Sequence, residues 1–262
     1  MGDAAVGRVL DALTAEGAEV RFVGGCVRDA LDGRPVKDVD LATPDRPERV
    51  TELLRQAGLK AVPTGIGHGT VTAVAEGRGF EVTTLRVDVR TFGRHAEVAF
   101  TDDWRADAAR RDFTFNAMSA APDGVLHDYF GGRADLAAGR VRFVGEPRRR
   151  IAEDYLRVLR FFRFLAHFGR EAPDEAALTA CRAAAPELAR LSGERVRNEL
   201  LKLLAAPDPR PALRLMRAAE VLAVVLPEAG ALDRLALLAA LDASYPDPLS
   251  RLATLIAGHA PS

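Results

Sequence analysis

The sequence predicts an α+β fold, with a mixed-sheet head domain over residues 1–145 and an all-helical neck and partial body over residues 146–262. Before residue 145, short apolar segments alternate with the period of two that is typical of strands, and glycine turns separate them. After Pro147, alanine, leucine and arginine recur at helical spacing and the strand patterns end. Because strands and helices segregate along the chain in this way, we predict two structural units.

Composition indicates a globular protein. Hydrophobic residues make up 48% of the 262 residues and charged residues 28%, which suits a buried core under a solvated surface. No segment approaches the roughly 20 apolar residues of a membrane span, and no leader pattern is visible, so we expect no membrane partner and a cytoplasmic location. The two cysteines, Cys26 and Cys181, predict neither a disulfide framework nor a zinc site.

The elements of the head can be assigned in order from periodicity and turn residues. The apolar run 18–23 stops at Gly24-Gly25, which predicts a strand, a turn and a helix. Two alternating segments flank a Gly-Arg-Gly turn at 77–79, which predicts a hairpin. The predicted elements are helix 4–17, strand 18–23, helix 26–31, strand 36–42, helix 46–57, strands 70–75 and 80–87, helix 104–121 and a turn-rich linker at 128–139.

A pair of aspartates is the first candidate for chemistry. Asp38 and Asp40 stand at i and i+2, so on a strand they would point to the same face. Adjacent carboxylates repel each other unless a cation lies between them, and Mg²⁺ prefers a few carboxylates together with phosphate and water. We therefore predict that Asp38 and Asp40 bind Mg²⁺ and that Glu81 is the third acid of the site. The alternative is a solvated strand end.

A glycine turn precedes the aspartates. Gly24 and Gly25 separate a strand from a helix, where backbone N–H groups can approach phosphates closely. Arg28 lies one turn into that helix. We predict that these three residues bind the triphosphate of a nucleotide. The alternative is a turn without a ligand.

Four segments carry a resemblance to a known family. They are Gly24–Asp29 with Lys37–Asp40, Arg110–Ala117, Glu153–Phe164 and Ser192–Leu200. In this order they resemble the signatures of class II CCA-adding enzymes and bacterial poly(A) polymerases, which have a polymerase β-like nucleotidyltransferase head. The resemblance implies an enzyme that adds C, C and A to the 3′ end of tRNA from CTP and ATP with Mg²⁺, and no DNA partner is expected.

The resemblance also implies roles for particular residues. In the second segment, Arg111, Asp112 and Asn116 would position the incoming nucleotide and its ribose. The third segment resembles a helix that reads the nucleobase, and the last segment is similar to a helix that supports it. Poly(A) polymerase activity, addition of CC or A alone, and a catalytically silent RNA-binding protein remain as alternatives.

The third segment predicts base selection by side chains. Asp154 and Arg157 are three residues apart, so on one helix they share a face. An Asp acceptor beside an Arg donor can satisfy the exocyclic amine and ring acceptor of cytosine or adenine, but not uracil or guanine. The alternative is a surface salt bridge. Arg160 is expected to reach phosphate or base, and Arg163 to brace the site or meet RNA.

Two further expectations concern RNA and the switch from C to A. The segment Thr91–Asp103 corresponds to a flexible loop that helps this switch in the resembling family. A basic cluster suits either an RNA backbone or a solvated face; it contains Arg140, Arg142, Arg148, Arg149 and Arg150. The resembling enzymes have a longer helical body and a tail beyond the part that corresponds to residues 1–262. The sequence therefore does not predict how tightly this chain binds tRNA.

Overall fold

A computed structural model describes residues 3–92, 95–230, 232–242 and 246–257. The chain folds as two compact units, Met1–Ala137 and Ala138–Ser262. The predicted boundary, between residues 145 and 146, lies eight residues further along the chain.

The first unit contains a mixed sheet, helices and a separate hairpin. Its helices are α1 (Ala4–Thr14), α2 (Gly25–Leu31), α3 (Pro47–Gln56), α4 (Trp104–Ala109) and α5 (Gly132–Ala138). Its strands are β1 (Arg21–Val23), β2 (Asp40–Thr43), β3 (Lys60–Gly65), β4 (Thr70–Ala75), β5 (Arg78–Thr84), β6 (Arg86–Phe92), β7 (His95–Phe100), β8 (Ser119–Ala120) and β9 (Leu126–His127).

The main sheet has the strand order β3-β4-β5-β2-β1-β8-β9. Strands β2 and β5 run parallel, and the other neighbours are antiparallel. Helices α1 and α3 pack on one face, where their apolar stripes meet alternate strand residues such as Leu41, Val71 and Val82. Strand side chains alternate between the two faces of a sheet, so the other residues of β2 and β5 lie on the face opposite α1 and α3.

Two predicted elements of the first unit are wrong. The predicted helix 104–121 ends at Ala109 and is followed by a 3₁₀ turn, Thr114–Asn116, and by β8. The Asp112 carboxylate accepts the backbone N–H of Phe113 at 2.9 Å, a local bond that competes with helix formation. The predicted linker 128–139 contains α5, whose first N–H groups at Gly132 and Arg133 are capped by the Asp128 carboxylate, each at 2.9 Å.

The second unit is built from helices, as predicted. They are α6 (Pro147–Glu153), α7 (Leu156–Phe168), α8 (Glu175–Ala184), α9 (Gly193–Leu204), α10 (Arg210–Ala218), α11 (Val221–Val225), α12 (Leu232–Leu241) and α13 (Pro248–Ile256). Helix α7 packs against α9 and α10. Most of its apolar residues, among them Phe161, Phe162 and Phe164, are buried, and Phe143 stacks on Phe161 with ring centroids 5.7 Å apart.

A buried arginine joins the last helix to this core. Arg251 is 0% exposed. It donates to the backbone carbonyls of Leu204 and Ala206 at 2.7 and 2.5 Å and forms an ion pair with Asp242 at 2.6 Å. The fold class predicted from the sequence, a mixed-sheet head followed by helices, is confirmed. Within the described ranges, the helices are too short or too polar to cross a membrane.

Candidate active site

The Gly-Gly turn joins β1 to α2 in a conformation that only glycine adopts readily. Gly24 has φ 73° and ψ −125° and precedes the first helical residue, Gly25. A Cβ at Gly24 would lie 2.8 Å from Nη1 of Arg111, whereas the nearest atom to a Cβ at Gly25 is Nη2 of Arg28 at 3.7 Å. Gly24 therefore leaves room for Arg111 beside the turn.

Hydrogen bonds connect the first and second signatures. Arg28 Nη1 donates to the Asn116 side-chain oxygen at 2.7 Å, and Asn116 Nδ2 donates to Asp112 Oδ1 at 3.0 Å. Arg111 Nη1 donates to the Asn116 backbone carbonyl at 3.5 Å. The structure thus brings together the residues that the sequence assigns to nucleotide binding in both segments.

Asp40 begins β2, and its register partner on β5 is Glu81. Partners on adjacent strands point to the same face, so these two carboxylates are neighbours. Asp38 lies in the segment before the strand, so the prediction that Asp38 and Asp40 share a strand is wrong. The reason is that β1 ends at Val23 and turns away at Gly24, which leaves the residues before Asp40 without a partner on that side.

The carboxylates interact electrostatically. Burial raises the pKa of Asp40 above its usual value, and the negative charges of Glu81 and Asp38 raise it further, while Arg111 acts in the opposite direction. Three acids thus lie close enough to influence one titration, although Asp38 is outside the strand. Within the described residues no group of three or more His, Cys, Asp or Glu side chains has an arrangement suited to hold a metal by itself. A cation here would therefore need ligands from substrate or water.

A cysteine holds the start of α2 against β2. Cys26 Sγ donates to the Val23 carbonyl at 3.3 Å and lies 3.7 Å from the Asp40 carbonyl. Burial raises the pKa of this thiol, so it stays protonated at neutral pH. Cys26 is buried, and its role in the structure is packing.

The base-reading segment of the second unit is two helices rather than one. Helix α6 ends at Glu153, and Asp154 has an extended backbone, φ −155° and ψ 109°. Asp154 Oδ1 accepts the N–H of Leu156 at 3.1 Å, which caps α7. The prediction that Asp154 and Arg157 share one helix face is therefore wrong, since Asp is a strong capping residue that interrupts the helix.

Separate partners hold Asp154 and Arg157. Asp154 Oδ2 pairs with Arg195 Nη2 of α9 at 2.7 Å. Arg157 Nη1 pairs with Glu153 at 2.5 Å and donates to the Arg150 carbonyl at 2.8 Å. Glu153 and Arg195 are not among the predicted site residues, although both lie within the segments that carry the family resemblance.

Arg163 is held by the supporting helix. It pairs with Glu199 of α9 at 3.0 Å, and its guanidinium lies 4.3 Å from the ring centroid of Phe164. Glu199 is only 5% exposed, so this pair is sheltered from solvent. These contacts hold Arg163 in place, and its role in bracing the site or meeting RNA stays a prediction. Arg160 lies further from the same ring, at 5.8 Å.

The segment expected to be a flexible loop, Thr91–Asp103, contains a strand instead. Strands β6 and β7 pair as an antiparallel hairpin, in which Arg86 is opposite Phe100. Apolar residues alternate along His95–Phe100, which favours this strand, although β7 is not among the predicted elements. Gly93 and Arg94 lie outside the described residues.

Comparison with known proteins gives two family matches and many relatives. Residues 20–142 match the family described as "Poly A polymerase head domain", and residues 172–232 match "Probable RNA and SrmB- binding site of polymerase A". Over 195 residues the chain is 50% identical to mitochondrial CCA tRNA nucleotidyltransferase 1 of Mus musculus, covering 72% of this chain and 44% of that protein. It is 40% identical over 211 residues to the CCA-adding enzyme of Leuconostoc mesenteroides, covering 79% and 51%.

Solved structures agree with these matches. The Bacillus stearothermophilus CCA-adding enzyme in complex with CTP has a TM-score of 0.78 and 37% identity, and the match covers 90% of this chain and 57% of that one. The Thermotoga maritima CCA-adding enzyme complexed with tRNA has a TM-score of 0.75 and 25% identity, with 98% and 63% covered. The chain spans about half the length of the curated relatives it matches. On these matches and the four signatures, the chain belongs to the family of class II CCA-adding nucleotidyltransferases and bacterial poly(A) polymerases.

Proposed function

We propose that this chain carries the nucleotidyl-transfer site of an enzyme that adds C, C and A to the 3′ end of tRNA, with CTP and ATP as substrates. The observation that carries the proposal is the network of Arg28, Asn116 and Asp112, with Arg111 close enough to Asp40 to affect its titration. Cationic and carboxylate groups in one such network suit a triphosphate and its counter-ion.

The acidic residues fit a divalent cation. Burial and two neighbouring carboxylates disfavour the charged form of Asp40, and a bound cation would relieve this repulsion. Asp38 and Asp40 would hold Mg²⁺, and Glu81 would complete the acidic site. When bound, Mg²⁺ supplies neutralisation of phosphate charge and acidifies a coordinated hydroxyl.

The residues of the first unit perform binding and orientation. Gly24 and Gly25 let the backbone approach the triphosphate, and Arg28 and Arg111 neutralise its charge. Asp112 and Asn116 orient the ribose. The RNA 3′ hydroxyl attacks the α-phosphorus, a new phosphodiester forms, and pyrophosphate leaves. Most of the rate enhancement comes from positioning and charge neutralisation.

The residues of the second unit select the base. Asp154 accepts a hydrogen bond from the amine of cytosine or adenine, and Arg157 donates to the adjacent ring acceptor. Arg160 would contact the nucleotide, while Arg163 braces α7 through Glu199. A mispaired buried polar group costs about 1–3 kcal/mol, so two mismatches would discriminate strongly against uracil. Truncation of Arg157 to alanine should therefore lower the preference for CTP over UTP more than it weakens triphosphate binding.

The test is incorporation of labelled CTP, ATP, UTP and GTP into a tRNA that lacks its CCA end, with Mg²⁺. We expect C, C and A followed by a stop, and loss of transfer in Asp40→Asn. The matched control is Asp11→Asn, which changes an exposed carboxylate on α1 and should transfer normally. A long A tract would instead support poly(A) polymerase activity, and two added C residues would support a CC-adding enzyme. Full activity in Asp40→Asn would contradict the acidic site. The cytoplasmic location stays a prediction, since relatives include proteins named mitochondrial.

A further inference from the structure

A buried carboxylate outside the predicted site lies four residues before Arg111. Asp107 is on α4 and is only 4% exposed. A buried aspartate must have its charge compensated by nearby donors, because burial of an unpaired carboxylate is costly. Its contacts therefore show which groups depend on it.

The two carboxylate oxygens of Asp107 hold different partners. Oδ1 accepts the backbone N–H of Arg86 at 3.2 Å and Nε of Arg110 at 2.9 Å. Oδ2 accepts Nη2 of Arg111 at 3.4 Å. Although burial opposes ionisation, Arg110 and Arg111 hold the pKa of Asp107 below its usual range, so this residue is a carboxylate at neutral pH.

Arg111 is consequently restrained at both ends of its guanidinium group. Nη2 is held by Asp107, while Nη1 donates to the Asn116 carbonyl and faces the space left by the missing Cβ of Gly24. An arginine side chain loses rotamer entropy when it is immobilised. Holding it in place before substrate arrives removes part of that cost from binding.

The same carboxylate anchors the start of the hairpin. Arg86 is the first residue of β6, and burial together with the charge of Arg110 lowers the pKa of its guanidinium to about 10. Asp88 also acts on Arg86, but Asp107 contacts all three arginines, Arg86, Arg110 and Arg111. Loss of its charge would leave these cations repelling one another.

We propose that Asp107 is a positioning residue, which orients Arg111 toward the nucleotide triphosphate and ties the first residue of the β6–β7 hairpin to the site. This role rests on the proposed function, because it assumes that Arg111 contacts the triphosphate. Asp107 would act through the phosphates and not through the base. Its effect should therefore be equal for CTP, ATP and inorganic tripolyphosphate.

The test is a double-mutant cycle on ligand binding. Dissociation constants for CTP and for tripolyphosphate are measured by calorimetry for the unsubstituted chain, Asp107→Asn, Arg111→Ala and the double variant. We expect Asp107→Asn to weaken both ligands about tenfold, which is the effect of one charge-assisted hydrogen bond. In the Arg111→Ala background the same change should have no further effect, because the group that Asp107 positions is gone.

Asp103→Ala is the matched control. Asp103 caps the same helix, α4, by accepting the N–H groups of Arg105 and Ala106. This change should destabilise α4 but leave both dissociation constants within about twofold, so a general loss of helix stability is separated from loss of positioning.

Three results would overturn the assignment. The first is an unchanged affinity of Asp107→Asn for CTP and tripolyphosphate. The second is a double variant whose loss of affinity equals the product of the losses in Asp107→Asn and Arg111→Ala. The third is an Asp107→Asn variant in which only CTP binding is weakened. If Asp107→Asn fails to fold, Asp107→Glu keeps the charge but moves the oxygens by one methylene, and unchanged tripolyphosphate affinity would then contradict the role. Failure of the unsubstituted chain to bind CTP would overturn the proposed function itself.

Discussion

Substitution of Gly24 by alanine should damage both the fold and the nucleotide site. At φ 73° and ψ −125° the backbone lies outside every region that an L-residue populates well, and such conformations cost about 1–3 kcal/mol. The added Cβ would also lie 2.8 Å from Nη1 of Arg111, so the guanidinium must retreat by roughly half an ångström to reach ordinary contact. The two effects have separate readouts.

The first readout is the unfolding temperature. For a unit of this size, 1 kcal/mol corresponds to about 4 °C, so Gly24→Ala should lower the unfolding midpoint of the first unit by about 4–12 °C. The second readout is CTP affinity, which should fall because Arg111 leaves its position. We expect a weakening of about tenfold, the value of one charge-assisted hydrogen bond.

Two other glycines serve as controls. Gly25 has no positive φ, and the nearest atom to a Cβ there is at 3.7 Å, so Gly25→Ala should leave the midpoint unchanged or raise it slightly. Gly17 has φ 84° with nothing within 4 Å of a Cβ, so Gly17→Ala should lower the midpoint without changing CTP affinity. Equal midpoints for the alanine variants of Gly24 and Gly25, within about 1 °C, would refute the reasoning, since strain of about 1 kcal/mol or more must appear as a shift.

Three further predictions follow from the ion pairs and the acidic site. Asp40→Asn should increase the free energy of unfolding at pH 8 in the absence of metal. The pKa of Asp40 is raised in the folded state, so the folded state loses stability as pH rises through that pKa, and asparagine avoids this loss. The advantage of asparagine should vanish near pH 4. Urea titrations at both values test this, and a less stable variant at pH 8 would contradict it. Arg195→Ala removes the ion-pair partner that orients Asp154, so CTP-over-UTP selectivity in incorporation assays should fall. Arg197→Ala, at an exposed position of the same helix, should leave selectivity unchanged. Equal selectivity in both variants would count against orientation of Asp154 by Arg195. Arg251→Met removes a fully buried cation and should destabilise the second unit by about 3–5 kcal/mol in denaturant titrations; a loss below about 1 kcal/mol would show that solvent or other donors replace it.

Sequence patterns predicted most of the local structure correctly. The Gly24-Gly25 step predicted the strand, turn and helix that the structure has, since glycine is the residue that tolerates such a backbone. Period-two alternation predicted β4 and β5, and helical spacing after Pro147 predicted the second unit. These signals are local, because a few neighbouring residues determine them.

Predictions that needed non-local information were less accurate. The Gly24-Gly25 step predicts the end of β1, but nothing in the sequence shows which residues of β2 lie opposite β1, and that pairing decides where β2 begins. The helix expected over 104–121 failed because Asp112 bonds to the backbone and to Asn116, which a count of helix-forming residues does not show.

The sequence by itself therefore determined the two-part architecture, the glycine turn and the family, because each depends on residue type and spacing. Only the tertiary structure decided which partner each charged side chain has. It paired Asp154 with Arg195, Arg163 with Glu199, and Asp107 with Arg111. The first two pairs join residues about 40 positions apart, and the third joins Asp107 of α4 to Arg111, which lies just beyond the end of that helix. Electrostatic interactions depend on distance and burial in space, and neither quantity can be read from the spacing of residues along a chain.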